Sequence, residues 1–399
     1  MRYITTFSML WFNCTLLLAQ DQAGDIIQRL EAAGFENIRV HTQGRTLILS
    51  YENNLYRNKV NALSEVLDKL VSSTYDTLKI VTLVNDLPII VTQISTDIWK
   101  QHKSEGIISS ETVRQLKLTY KTDETWKTLL NEMPVNSHVN KVNLVFYPQF
   151  FLMNIRLDQI YEIQLNIAPA LEVSLWRGMK FTGQVILPII SDFWYGMEGE
   201  RVRAGFFTLA QEFRIPGNIF GRAVVGKFNA GRYGADLSLT HYLFGGNCFL
   251  KANAGYTGEY LYYDKNWLRN EIKTLTWSLK GGYFYKPQNV QLDGSIGRYI
   301  NGDYGVRGDC TRYWGETAVG FFAMVADGKL NGGFHFTIPI GTKRLKKDRN
   351  FLLRASRYFN WEYNAGTEFY YGQSYKTQPN ENRVEHFYNP NLLINNLLK

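Results

Sequence analysis

Three cysteines in 399 residues cannot staple a chain of this length, and no two lie at zinc-ligand spacing, so a disulfide scaffold and a structural zinc site are both excluded. Proline is scarce at 10, which argues against a disordered or collagen-like chain. Only six histidines occur, and GxSxG, HExxH, GxGxxG and Walker A motifs are absent, so the common hydrolase, zincin and nucleotide-binding signatures are missing. Beyond residue 20 no window offers about 18 consecutive apolar residues, so any membrane span there must be made of strands. What the chain does have is 33 glycines with 24 Phe, 25 Tyr and 9 Trp, the composition of many strands joined by tight turns.

Residues 1–20 place Arg2 before an apolar run ending in Leu16, Leu17, Leu18 and Ala19, then turn polar at Gln20 and Asp21. This is the architecture of an export signal. A short membrane anchor is the competing reading, disfavoured by Asn13 within the run and by the flanks. Trp11 and Asn13 stand where a lipoprotein signal around Cys14 would need small and apolar residues. Cys248 and Cys310 then remain, on separate predicted strands, and are read as free thiols. Net charge is uneven: −2 over residues 21–140 and +9 over 141–399. Much of the excess is the run Lys343, Arg344, Lys346, Lys347 and Arg349. After an export signal nucleic acid is a poor partner for it; anionic lipid or an acidic polysaccharide suits it better, and a solvated loop equally well.

Residues 21–135 read as a small α+β domain. Ile26, Ile27, Leu30 and Ala33 have helical spacing before Gly34, and Val60, Leu63, Val66, Leu67, Leu70 and Val71 share one helical face over 58–72. Short strands are predicted near 37–42, 45–51, 78–84 and 87–94. Residues 95–140 show no clear period, and Pro134 to Asn140 read as a linker.

From 141 the period becomes two. In 163–175, Ile163, Leu165, Ile167, Leu171, Val173 and Leu175 oppose Gln164, Asn166, Ala168, Ala170, Glu172 and Ser174. Twelve strands are predicted, near 142–153, 160–175, 179–188, 201–213, 219–229, 233–244, 248–261, 272–285, 289–299, 304–313, 315–326 and 332–340. Most are long enough to cross a bilayer at a tilt. Alternation alone leaves open which face is wet. Long connections follow odd-numbered strands and tight turns follow even ones, the asymmetry of outer-membrane barrels, and this puts the small domain on the tight-turn, periplasmic side. Tyr262, Tyr263, Trp267, Trp194 and Tyr195 fall near strand ends, where an aromatic girdle would lie. The expected fold is therefore mostly β: an antiparallel outer-membrane β-barrel of about 12 strands over 141–340, preceded by a small α+β periplasmic domain. A basic tail over 341–399, with one more strand near 361–371, would lie in the periplasm.

By the same alternation Gln164, Asn166, Glu172, Lys251, Asn253, Glu259, Lys280 and His335 face the lumen. They would form either a polar network that stabilises the barrel or a surface for an acidic glycan. His241 and His335 are the histidines predicted on strands, and catalysis would require a nucleophile and a carboxylate or amide beside one of them. Neighbouring carboxylates and cations suggest internal ion pairs instead, so no catalytic residue, metal or cofactor is expected.

GRYINGDYG at 297–305, WGETAVGFFAM at 314–324 and FHFTIPI at 334–340 follow one another in an order that resembles the YjbH/GfcD family of exopolysaccharide-biosynthesis outer-membrane proteins. YENNLYR at 51–57 is similar to the segment leading into the helix of that family's small domain. The turn Gly302, Asp303, Tyr304 and Gly305 is part of the likeness, with Tyr304 where the family usually has Trp. The resemblance implies a non-enzymatic role in capsule or exopolysaccharide biosynthesis, export or surface attachment. Its partners would be outer-membrane lipid, polysaccharide or other components of a secretion system, and the barrel-assembly machinery. A general solute channel is the alternative, and an outer-membrane enzyme acting on lipid or glycan a third.

Overall fold

The computed structural model describes residues 22–105, 114–153, 161–192, 200–263, 266–346, 350–366, 370–379 and 388–397. The predicted signal, Trp194 and Tyr195, and Lys347 and Arg349 lie outside the described residues, as do the side chains of Tyr262, Tyr263 and Trp267. The chain divides into two compact units, one running to His138 and also holding Leu393 onward, the other Val139–Leu392.

In the first unit, α1 (22–33) stops at Gly34, whose φ of 93° suits a residue without Cβ. Next come β1 (Glu36–Gln43), β2 (Thr46–Glu52), α2 (Lys59–Leu70), β3 (Thr77–Val84), β4 (Leu87–Ser95), α3 (Thr96–Glu105), β5 (Lys117–Thr119) and α4 (Asp123–Leu129). The five strands lie in sequence order, and β2 pairs in parallel with β3 because α2 carries the chain back between them. Asn58 starts α2 by accepting the Val60 amide at 2.8 Å. Trp126 and Leu129 of α4 cover Ile48, Val81, Leu83 and Val91, while Leu47 and Leu49 are buried on the opposite side of β2. Thus α3, β5 and α4 occupy the stretch that shows no period in the sequence.

The stretch 134–140 expected as a linker contains the division between the two units, and its first part is held within the first unit. Val135 exchanges backbone hydrogen bonds with Ile38 at 2.8 and 3.0 Å, and His138 is buried with Nδ1 2.8 Å from Asn37 Nδ2. Its polar composition signals a turn; buried partners fix the turn in place. Nearby, Glu52 accepts from Asn37 Nδ2 and from the Asn85 and Asp86 amides, while burial pushes its carboxyl above the usual range.

The second unit is one antiparallel meander of β6 (Val142–Met153), β7 (Glu162–Trp176), β8 (Met179–Ser191), β9 (Arg203–Ile215), β10 (Ile219–Lys227), β11 (Arg232–Leu243) and β12 (Cys248–Tyr263), then, past the short β13 (Asn266–Arg269) that pairs only β12, β14 (Thr274–Tyr285), β15 (Val290–Arg298), β16 (Tyr304–Trp314), β17 (Thr317–Ala326) and β18 (Lys329–Pro339). Each of the twelve predicted strands is present. The two faces invert the pattern of a soluble sheet. Leu279, Ile296, Val306, Val325 and Leu330 stand side by side across five strands and are 43 to 77% exposed. One residue along each strand, the opposite face carries Lys280, Ser295, Arg307, Met324 and Asn331. Cys248 and Cys310 are free thiols.

The region expected to be a basic tail contributes two further strands, β19 (Phe351–Ala355) and β20 (Tyr358–Asn364), in place of one near 361–371. β19 pairs with β6, in parallel, so the sheet is not wholly antiparallel; β20 pairs with β18. The hydrogen-bonded path therefore starts and ends on consecutive segments joined by Ser356 and Arg357. Across this seam the Phe150 and Trp361 rings meet at 5.5 Å between centroids. The β18–β20 pairing is tight: a Cβ on Gly333 would stand 1.8 Å from the Tyr363 carbonyl, whereas one on Gly294 meets nothing within 4 Å. Gly333→Ala is expected to abolish the heat-dependent gel shift of the assembled protein, and Gly294→Ala to preserve it.

Candidate functional site

The buried face of the meander is where polar chemistry concentrates. Gln164, Asn166 and Glu172 lie along β7 on that face, all buried, and His335 on β18 is fully so. Asn166 donates to Gln149 Oε1, and Gln164 to Asn166 Oδ1. Glu172 accepts the Tyr147 hydroxyl and lies within 4.0 Å of Lys180 and Arg354. Lys251 and Lys280 are register partners, both half-buried, and Lys280 Nζ is 2.8 Å from Asp293. Asn253 donates to Asp236 at 2.9 Å. Glu259 departs from the expectation: it has the right parity but is 58% exposed, because it sits where the ladder ends, paired with the buried Arg232 at 2.7 Å. His241 lies on the other, apolar face, in register with Leu250.

The densest cluster spans β16, β18 and β20. The Arg307 guanidinium forks between Asp309 (2.8 and 2.9 Å) and Glu362 (2.8 and 3.0 Å), with its carbon 3.9 Å above the Phe322 ring. His335 Nε2 lies 3.3 Å from Thr311 Oγ1 and 3.6 Å from Asp309. A Cβ on Gly320 would come 2.3 Å from the His335 ring, so glycine there gives the imidazole its space. In a nucleophile relay the hydroxyl and the orienting carboxylate occupy opposite ring nitrogens. Here both face Nε2. Among the described residues no group of three or more His, Cys, Asp or Glu is placed to hold a metal.

The turn Gly302, Asp303, Tyr304 and Gly305 holds a later part of the chain. Gly302 has φ 90°, and buried Asp303 accepts the Gly372 amide at 2.6 Å. Asn301 donates to the Tyr370 carbonyl, and the Ile300 amide to the Gln373 carbonyl. Tyr304 itself is exposed. From this turn residues 370–377 lie over the polar face. Tyr375 stacks on Phe228 at 5.2 Å and donates to Asp236 at 2.8 Å; Thr377 accepts from Arg222 at 3.0 Å. At the opposite strand ends Asn389 and Asn391 bind the 245–247 turn, and Leu392 packs on Phe284, Tyr313 and Tyr358. Sequence reading missed Arg307, Asp309, Glu362 and Tyr375. The first two share the parity of Gly305 and Thr311 on one strand, so extending the alternation through 304–313 would have found them.

On these strands the polar face is the buried one and the apolar face the exposed one, the reverse of a sheet that packs an apolar core. Residues 17–215 match the family described as exopolysaccharide biosynthesis protein YbjH, and the chain belongs to this YjbH family. The matched span contains the 51–57 segment and ends before the motifs at 297–340. No curated protein matches the chain. Among solved structures, a loop L8 deletion mutant of OmpT, an outer membrane protein of Vibrio cholerae, is 10% identical, with a TM-score of 0.29 over 57% of this chain and 95% of that one. A porin triple mutant of Rhodopseudomonas blastica is 8% identical, with a TM-score of 0.27 over 49% of this chain and 89% of that one. TM-scores this low carry no inference for this chain.

Removing Arg307 alone strands two carboxylates on the buried face, a loss of about 3–5 kcal/mol. Arg307→Met should therefore lower the temperature at which the protein loses its heat-dependent gel mobility. Adding Asp309→Asn and Glu362→Gln to the same chain should restore most of it.

Proposed function

We propose that the second unit is an outer-membrane β-barrel without enzymatic activity that assists exopolysaccharide biosynthesis, export or surface attachment, with the first unit in the periplasm. The observation that carries this reading is the exposed apolar row from Leu279 to Leu330 beside a half-buried, mostly polar row from Lys280 to Asn331. Water would penalise the first, and hydrocarbon accepts it. Twelve long strands with a thirteenth position filled by β19 and β20 fall between the eight or so that enclose only side chains and the roughly 16 that leave an aqueous channel. Family membership supports the polysaccharide context, and the single-nitrogen geometry at His335 supports a non-catalytic role. The wider connections, 192–202 and 264–273, lie at one end of the strands, whereas the hairpin turns at the other end between β7 and β17 are of two to four residues. This asymmetry favours the wide end as the cell exterior.

Cys introduced at Asn266 should be modified by an impermeant thiol reagent on intact cells, and Cys at Thr74 only after the outer membrane is breached. The reverse pattern contradicts the orientation. A charge on the lipid side at mid-height costs about 2–4 kcal/mol, while one on the inner side hydrates or pairs. Leu279→Arg should therefore sharply reduce the amount assembled in membranes, and Ser278→Arg should leave it near wild type.

A further inference from the structure

The seat of Tyr375 is built like a binding site and filled by the chain itself. Its floor is Phe228, whose ring lies parallel to that of Tyr375, 6° apart in plane and 5.2 Å between centroids. Its wall is the Asp236 carboxylate, which accepts the tyrosine hydroxyl at 2.8 Å and is held by Asn253 through its other oxygen at 2.9 Å. Thr276 Oγ1 is 3.4 Å from the same hydroxyl. The far side is open only because residue 255 is glycine: a Cβ there would lie 1.6 Å from the Tyr375 oxygen. Beyond it Arg222 donates to Thr377, and Asn229 Oδ1 accepts the Lys376 amide at 2.5 Å.

A flat apolar face against an aromatic ring, with a hydroxyl directed to a fixed carboxylate, is the chemistry that also holds a sugar ring, which presents C–H groups on one face and hydroxyls at its edge. The segment is tethered at both strand ends, by Asp303 to Gly372 at one and by the 245–247 turn to Asn389 and Asn391 at the other. Its residues 370–377 lie over the polar face from the first of these ends. Its contacts here are mostly hydrogen bonds that a polyhydroxylated chain can replace one for one.

We propose that the Phe228, Asp236 and Thr276 seat is a sugar-ring subsite of the barrel interior, occupied at rest by Tyr375 of a displaceable C-terminal plug. This rests on the barrel reading and names the ligand of its interior. The test uses the full-length protein in planar bilayers, with neutral malto-oligosaccharide as probe. Wild type should insert and conduct weakly. Tyr375→Ala, which leaves every strand residue in place, should raise conductance several-fold, and oligosaccharide should block the new current. Adding Asp236→Asn should weaken the block about tenfold, the worth of one hydrogen bond to a charged group. Inserted Tyr375→Ala protein that conducts no better than wild type, or that conducts but ignores the sugar, overturns the proposal. Failure of wild type to enter bilayers, with a compact water-soluble monomer instead, overturns the barrel reading itself.

Discussion

Everything in the second unit follows from where polar groups can find partners. Strand backbones satisfy one another across the ladders, so only side chains must choose a side. With the apolar row turned outward, each charged or amide side chain on the other face has to be neutralised within it. Arg307 between Asp309 and Glu362, Lys280 against Asp293, and Glu172 beside Tyr147, Lys180 and Arg354 are the solutions found. Glycines at 255, 282 and 320 belong to the same constraint, since the side chains of Tyr375, Phe249 and His335 take the space that a Cβ would fill.

The strand meander was legible because a period of two survives burial on either side. Ile163 to Leu175 and Trp277 to Tyr285 alternate cleanly, and their strands lie where the alternation put them. The direction of each face was not legible, since the alternation is the same for a core and for lipid; the exposure of Leu279 and Leu250 beside buried Gln164 and Asn166 decides it. Side-chain parity was readable residue by residue, but the end of a ladder was not: Glu259, on the parity of Lys251 and Asn253, stands exposed at the strand's end.

The C-terminal region was the hardest to read, for a physical reason. Residues 370–377 have no repeating pattern because their order is borrowed from partners far away in sequence: Asp303, Asn229, Asp236 and Arg222. The same holds for 134–138, whose turn-like composition hides a backbone bridge to Ile38 and a buried His138. Segments held by long-range polar contacts look like linkers until those contacts are seen. The seam between β6 and β20 is similar, since nothing in Phe351–Ala355 announces a parallel partner.

The central claim is that lipid touches the row containing Leu279 and not the row beside it. Tryptophan at position 279 or at position 278, each in a chain with its native tryptophans replaced by phenylalanine, can be compared in membranes containing lipids brominated along the acyl chain. The account predicts strong quenching of Trp at 279 and little at 278. Equal protection of both positions would contradict it.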